Sequence, residues 1–115
     1  EIKLIRSDFF YHTGRYDLII EQTFFCALDP KSRKMYAEKV KTLLDKKGKL
    51  AGVLFYNNDP ENELSKENDG PPFISSLKEY KKVFNENFNI IKMEECYNSI
   101  SPRMGKELFI NLKLK

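Results

Sequence analysis

Hydrophobic and polar positions fall along this chain in blocks of different period. Tyr16 to Ile20 is a short apolar run of the kind seen in a strand covered on both faces, and Leu50 to Tyr56 is a second. Between them Tyr36, Ala37, Val40, Leu43 and Leu44 recur at helical spacing. Asp29 is placed to cap that helix with Pro30 at its first position, and Lys46-Lys47-Gly48 supplies a basic last turn and a glycine stop. The spacing predicts a helix over 30–46. Strand, helix and buried strand in that order predict a parallel βαβ unit with a right-handed crossover. Upstream, Ile2, Leu4 and the residues to Phe10 read as a strand or its end, and His12 to Arg15 as a polar turn.

Beyond Tyr56, the stretch from Asn57 to Gly70 breaks every periodicity. It carries Asp59, Glu61, Glu63, Glu67 and Asp69 against Lys66 alone, then runs into Pro71, Pro72 and Phe73. A loop this long is functional or a solvated connector. It leaves the carboxyl end of a strand, the same rim as residues 21 to 28, and that rim is where open α/β sheets bind ligands. Ser76-Leu77-Lys78-Glu79 has the pattern of a capping box, and Leu77, Tyr80 and Phe84 give the following helix an apolar face to about Asn87. Phe88 to Met93 and Leu108 to Leu114 read as strands, the second in strict alternation. The connection Tyr97 to Gly105 is short enough for an antiparallel pair.

Composition narrows the classes. A chain of 115 residues, 41% hydrophobic, can bury one modest core, so residues 1–115 form a single domain. Twenty basic against 17 acidic side chains leave a net charge of +3. The lysines are scattered and paired with glutamates, which argues against a nucleic-acid partner, since such binding needs clustered phosphate contacts. Lys31, Lys34, Lys39 and Lys41 read as a solvated helix face. Cys26 and Cys96 lack metal-ligand spacing and fit a reducing, cytoplasmic compartment. No apolar run approaches the roughly 20 residues of a membrane span, so no membrane partner is expected. His12 reads as exposed, no triad is visible, and Cys26 reads as a small buried hydrophobe rather than a nucleophile.

The residues from Tyr16 through Glu21, Gln22, Thr23, Phe24, Phe25, Cys26, Asp29 and Pro30 to Arg33, then Tyr36-Ala37 and Gly70-Pro71-Pro72-Phe73, closely resemble the thiopurine S-methyltransferase family. Ser7-Asp8-Phe9-Phe10 is similar to a Gly-Asp-Phe-Phe element of its bacterial and plant thiol or halide methyltransferase branch, with serine for glycine. Ser101 to Glu107 is similar to a Pro-Arg-x-Gly-x-Glu element of that branch. Four motifs in order cover essentially the whole chain. The resemblance implies an α/β, Rossmann-like class I methyltransferase fold, seen through its carboxyl-terminal portion: a parallel βαβ unit plus a terminal antiparallel strand pair. It implies S-adenosylmethionine as cofactor and methyl transfer to a small thiol or related anion by in-line displacement. With the nucleophile already anionic, such a reaction asks the protein for orientation more than for acid–base groups.

Residue by residue, the resemblance implies that Asp8 accepts a hydrogen bond from the adenine amino group while Phe9 packs on the ring. The alternative is that Asp8 caps a turn and Phe9 is core. Glu21 and Gln22 would face the methionine part of the cofactor; the thiopurine branch has arginine in place of Gln22, so its acceptor preference does not carry over. Thr23, Phe24 and Phe25 would line the sulfonium and the incoming thiol, or the two phenylalanines would only pack the crossover helix. Pro71, Pro72 and Phe73 would close over the acceptor, and Arg103 would reach it from the last hairpin or stand solvated. No residue is assigned as catalytic and none as a metal ligand.

The family's glycine-rich loop, ribose-binding acid and substrate cap are expected upstream of Glu1, where the chain opens without methionine. The chain is therefore expected to be an incomplete methyltransferase domain that binds S-adenosylmethionine weakly or not at all. The Tyr16 strand would be an unpaired apolar edge, open to self-association. The competing reading is a non-catalytic α/β interaction module that keeps the scaffold and uses that edge and the acidic loop for a partner.

Overall fold

A computed structural model describes residues 2 to 57 and 70 to 115. The strands are β1 (Tyr16–Gln22), β2 (Leu44–Asn57), β3 (Ser75–Ser76), β4 (Phe88–Glu95) and β5 (Glu107–Leu114); the helices are α1 (Arg33–Leu43) and α2 (Leu77–Asn85). The sheet order is β1-β2-β5-β4, with the two-residue β3 beside the end of β2. β1 and β2 run parallel through the α1 crossover, and β5 is antiparallel to both β2 and β4. This is the expected βαβ unit and terminal antiparallel pair.

Local chemistry accounts for the helix starts. Asp29 Oδ1 accepts from the Lys31 amide at 2.9 Å, and a turn of 3-10 helix from Pro30 to Ser32 leads into α1. Ser76 Oγ accepts from the Glu79 amide at 3.3 Å and starts α2. Both helices lean on one face of the sheet. That face presents Leu50, Leu54, Leu108, Ile110 and Leu112, all with no solvent exposure, to Tyr36, Val40, Tyr80 and Phe84. Each such side chain contributes about 1.5–3 kcal/mol through burial. Phe25 joins the layers, its ring centroid 5.1 Å from Tyr36, 5.6 Å from Tyr80 and 5.2 Å from Phe84.

Four expectations are corrected. Residues 2 to 8 form no strand, and Phe9–Tyr11 is a 3-10 turn closed by Asp8 and packed through Phe9 on the core; β1 pairs with β2 alone among the described residues. The α1 helix ends at Leu43 and not at 46, because Leu44 pairs with Tyr16 and draws the chain into the sheet. The pairing then jumps from Tyr16–Leu44 to Leu18–Lys49, so 45–48 forms a bulge and Gly48 is no helix stop. β1 is not covered on both faces. Leu18 is 53% and Ile20 77% exposed, because the helices shield only the side that carries Ile19 and Glu21. His12 is half-buried: its ring stacks on Tyr16, with Nε2 2.7 Å from the phenol oxygen. The acidic run predicted between Asn57 and Gly70 falls on residues 58 to 69, which lie outside the described residues. Among the described residues, no helix is long and apolar enough to cross a membrane.

Candidate functional site

At the carboxyl end of β1 the chain turns sharply. Thr23 sits at φ 55°, in the left-handed region that side chains other than glycine seldom adopt, and its amide donates to the Val53 carbonyl at 2.9 Å. Glu21, only 4% exposed, holds the turn in place from below. Its Oε2 accepts from the Phe24 amide at 2.7 Å, while Oε1 accepts from the Phe25 amide at 3.0 Å and from the Tyr36 hydroxyl at 2.6 Å. The expected donor-facing carboxylate therefore points into the protein and bonds the backbone of the expected acceptor side. Gln22, the next residue, is exposed at the strand end.

The two phenylalanines divide. Phe24 is 42% exposed and Phe25 is fully buried, so the packing alternative holds for Phe25. Phe9 lies edge-on to Phe24 at 5.3 Å and stacks on Tyr36 at 5.6 Å, which brings the Asp8–Phe9 element against the Thr23–Phe24 turn. Asp8 is exposed, and its Oδ1 caps the Phe10 amide at 2.9 Å.

Phe73 joins the same turn from the other side, its amide donating to the Cys26 carbonyl at 2.7 Å. Pro71 and Pro72 are exposed, and the peptide bonds preceding both are cis. Arg103 belongs to a 3-10 turn at the foot of β5. Its guanidinium lies 5.8 Å from the Phe55 ring centroid and 3.9 Å from Glu107, half in solvent. By the strand alternation Phe55 faces away from the helices, so Arg103 flanks the rim from the other face of the sheet.

Two contributors carried no assigned role in the sequence reading. Arg33 and Tyr36 both lie on the buried face of α1, and an arginine in register with Tyr36, Ala37 and Val40 was the signal available. Arg33 donates to Ser75 Oγ at 2.7 Å and to the Phe73 carbonyl at 3.2 Å.

Burial governs the titrating groups here. It raises the Cys26 thiol, and then the nearby Glu21 adds to the rise, so Cys26 stays protonated and unsuited to nucleophilic attack. Thiol reagents are expected to reach it only on unfolding, which a trapping assay with and without urea would check. Burial also raises Cys96, holds Tyr36 and Tyr80 well above the ordinary phenol range, and pushes Tyr56 up to about 12, where its hydrogen bond to Glu95 assists. In all five groups the fold favours the protonated form. Their contribution to stability is therefore full below about pH 8 and is lost as pH rises, first through the thiols' unfolded range near about 8.5–9 and then from about 10 upward for the phenols. Urea midpoints should hold from about pH 7 to 8 and then fall steadily; a midpoint unchanged to about pH 11.5 would contradict the assignment.

The fold and the family follow from comparison. The chain superposes on a Burkholderia thailandensis 1,6-didemethyltoxoflavin-N1-methyltransferase, a structure with bound S-adenosylhomocysteine, with a TM-score of 0.71 at 13% identity. That match covers 96% of this chain and 50% of the other. It likewise superposes on the N-methyltransferase NodS of Bradyrhizobium japonicum, with a TM-score of 0.65 at 10% identity, over 94% of this chain and 52% of the other. The architecture is thus the class I methyltransferase fold in part. In sequence it is 35% identical over 94 residues to a protein of Arabidopsis thaliana described as probable thiol methyltransferase 2. It is 29% identical over 106 residues to thiocyanate methyltransferase 1 of Brassica oleracea, and 32% identical over 85 residues to a thiopurine S-methyltransferase of Vibrio campbellii. These matches take in 81%, 90% and 73% of this chain but only 38%, 44% and 37% of the relatives, so the chain spans about two fifths of their length. The family model for thiopurine S-methyltransferase matches residues 1–110, and with the motif segments gathered at one rim of this fold, the chain belongs to the thiopurine S-methyltransferase family.

Proposed function

We propose that this chain supplies the acceptor side and part of the donor side of an S-adenosylmethionine-dependent methyltransferase acting on a small thiol or related anion. One observation carries the reading: the Thr23–Cys26 turn and the Phe73 segment, far apart in sequence, are bonded through the Cys26 carbonyl at the carboxyl rim of a parallel strand pair. The cofactor supplies an electrophilic methyl group on a sulfonium. The residues present suit its two ends. Asp8 offers an exposed carboxylate beside the half-exposed Phe9 ring, which fits an exocyclic amine over a flat base, and Gln22 offers an exposed amide to the methionine part. Glu21, turned inward, serves the acceptor side through the Phe24 and Phe25 amides it holds. Thr23 and the exposed face of Phe24 border the acceptor, with Pro71, Pro72 and Phe73 opposite and Arg103 at the rim. Gln22 in place of arginine, and relatives named for thiol and thiocyanate methylation, favour a small aliphatic thiol or a sulfide-like anion over a bulky aromatic thiol. The unpaired, buried Cys26 accords with a reducing, cytoplasmic setting.

Calorimetry with S-adenosylhomocysteine tests this, on the chain and on a longer polypeptide containing it. Binding by the longer form is expected, and Asp8→Ala should weaken it about tenfold, the worth of one hydrogen bond to a charged group. No heat with either form overturns the reading, and an unchanged affinity in Asp8→Ala removes the adenine contact.

One observation favours the interaction-module reading. β1 has no partner on its outer side among the described residues, and Ile20 is 77% exposed on it. Self-association of the chain along this edge should appear in sedimentation as a concentration-dependent mass, abolished by Ile20→Lys. A constant monomer mass would dismiss it.

A further inference from the structure

Arg33 is an expensive residue to place where it stands. It is 7% exposed, and its guanidinium lies between the rings of Phe25 and Tyr80, 5.4 Å from each centroid. Among the described residues no carboxylate pairs with it; its acceptors are the Ser75 hydroxyl and the Phe73 carbonyl, and its Nε has no partner. Burying a charge on neutral acceptors is costly, and the aromatic faces offset only part of that cost. An aliphatic side chain would fill this stripe of α1 at lower cost, so packing does not explain the arginine.

Its contacts converge on one segment. The Phe73 amide bonds the Cys26 carbonyl and the Phe73 carbonyl accepts from Arg33, so this residue is tied through both of its flanking peptides. Ser75 is held by its hydroxyl to Arg33 and by its amide to the Tyr80 hydroxyl at 3.0 Å; that hydroxyl in turn donates to the Phe55 carbonyl at 2.7 Å. The planar fork of a guanidinium can bond Phe73 and Ser75 together while its faces stay against two rings, which an ammonium cannot do.

We infer that Arg33 is a positioning residue that fixes the Pro71–Phe73 segment against the Thr23–Phe24 turn, and so sets the fit of the methyl acceptor and not of the donor. This rests on the methyltransferase reading of the site. The test compares wild type, Arg33→Lys and Ser75→Ala in the longest polypeptide that carries the chain. Two quantities are read: exchange of the Phe73 amide with solvent, and steady-state constants for S-adenosylmethionine and for hydrosulfide as acceptor. In Arg33→Lys, loss of a charge-assisted bond should speed Phe73 exchange about tenfold and raise the hydrosulfide KM about tenfold. The S-adenosylmethionine KM should stay within about twofold, and Ser75→Ala should show the same pattern more weakly. Equal rises in both KM values, or Phe73 exchange at the wild-type rate in both variants, would overturn the proposal. If wild type transfers no methyl group, the functional reading falls and Phe73 exchange alone decides the clamp. If Arg33→Lys fails to fold, Ser75→Ala decides it.

Discussion

Gly52→Ala is expected to destabilise the chain by about 3 kcal/mol, more than most single-methyl changes. Gly52 pairs with Glu21 across β1 and β2. A Cβ there would lie 2.7 Å from the Glu21 carbonyl carbon and nearer still to its oxygen. Both atoms are backbone, so no side chain can swing aside. The strands would have to part, and β1 has no other strand partner among the described residues. Separation at this point also strains the bond from the Thr23 amide to the Val53 carbonyl, which sets the turn of the candidate site. The urea midpoint should fall accordingly. Ala51→Gly, one residue away, should cost only about 1 kcal/mol through backbone entropy. Equal effects at 51 and 52 would show that the close approach is not what demands glycine.

The second large effect belongs to Glu21. Glu21→Ala removes the acceptor of two amides and a buried phenol, and is expected to cost about 3–4 kcal/mol, since donors left unpaired in the interior lose their full solvation. Glu21→Gln should cost less, about 2 kcal/mol. Its amide oxygen can keep the Phe25 and Tyr36 donors at the Oε1 position, but its NH2 then meets the Phe24 N–H head-on. Tyr36→Phe removes the third donor and keeps the ring packed on Phe9 and Phe25. In a double-mutant cycle, Tyr36→Phe should cost about 1.5 kcal/mol in wild type and close to nothing beside Glu21→Ala. Additive losses would mean that the carboxylate and the phenol act separately, and the bonded network would have to be abandoned.

Both predictions meet at Glu21, whose backbone crowds Gly52 and which the motif singles out for a different reason. Glu21 stands in the right segment, yet a sequence position at a strand end does not say on which face its carboxylate lies. The strand alternation decides that. With Ile19 turned toward the helices, Glu21 follows two residues later and enters the core beneath the turn. Arg33 carries no assigned role in the sequence for a related reason: its register with Tyr36 and Val40 marks the buried face, but its acceptors exist only once the Phe73–Ser75 segment closes over it. Phe24 and Phe25 are chemically identical neighbours, and only the direction of the 3-10 turn separates the exposed ring from the buried one.

Elements whose cause is local were legible from the residues. Asp29-Pro30 and Ser76 to Glu79 start the helices because the capping side chains bond their own backbone within three residues. The alternation of Leu108 to Leu114 makes a strand with one buried face because the side-chain period is two. Elements whose cause is a distant partner were not. Leu44 leaves the helix because Tyr16 pairs with it, the segment before Phe9 is no strand because no strand lies beside it among the described residues, and Ile20 is exposed because the helices shield only the other face of β1. The sequence by itself determined the βαβ unit, the terminal strand pair, the family and the rim at which its motifs lie. Only the tertiary structure decided that Glu21 and Arg33 hold the two sides of that rim from inside, because the bonds of a buried charge are chosen by whatever donors and acceptors the fold brings within reach.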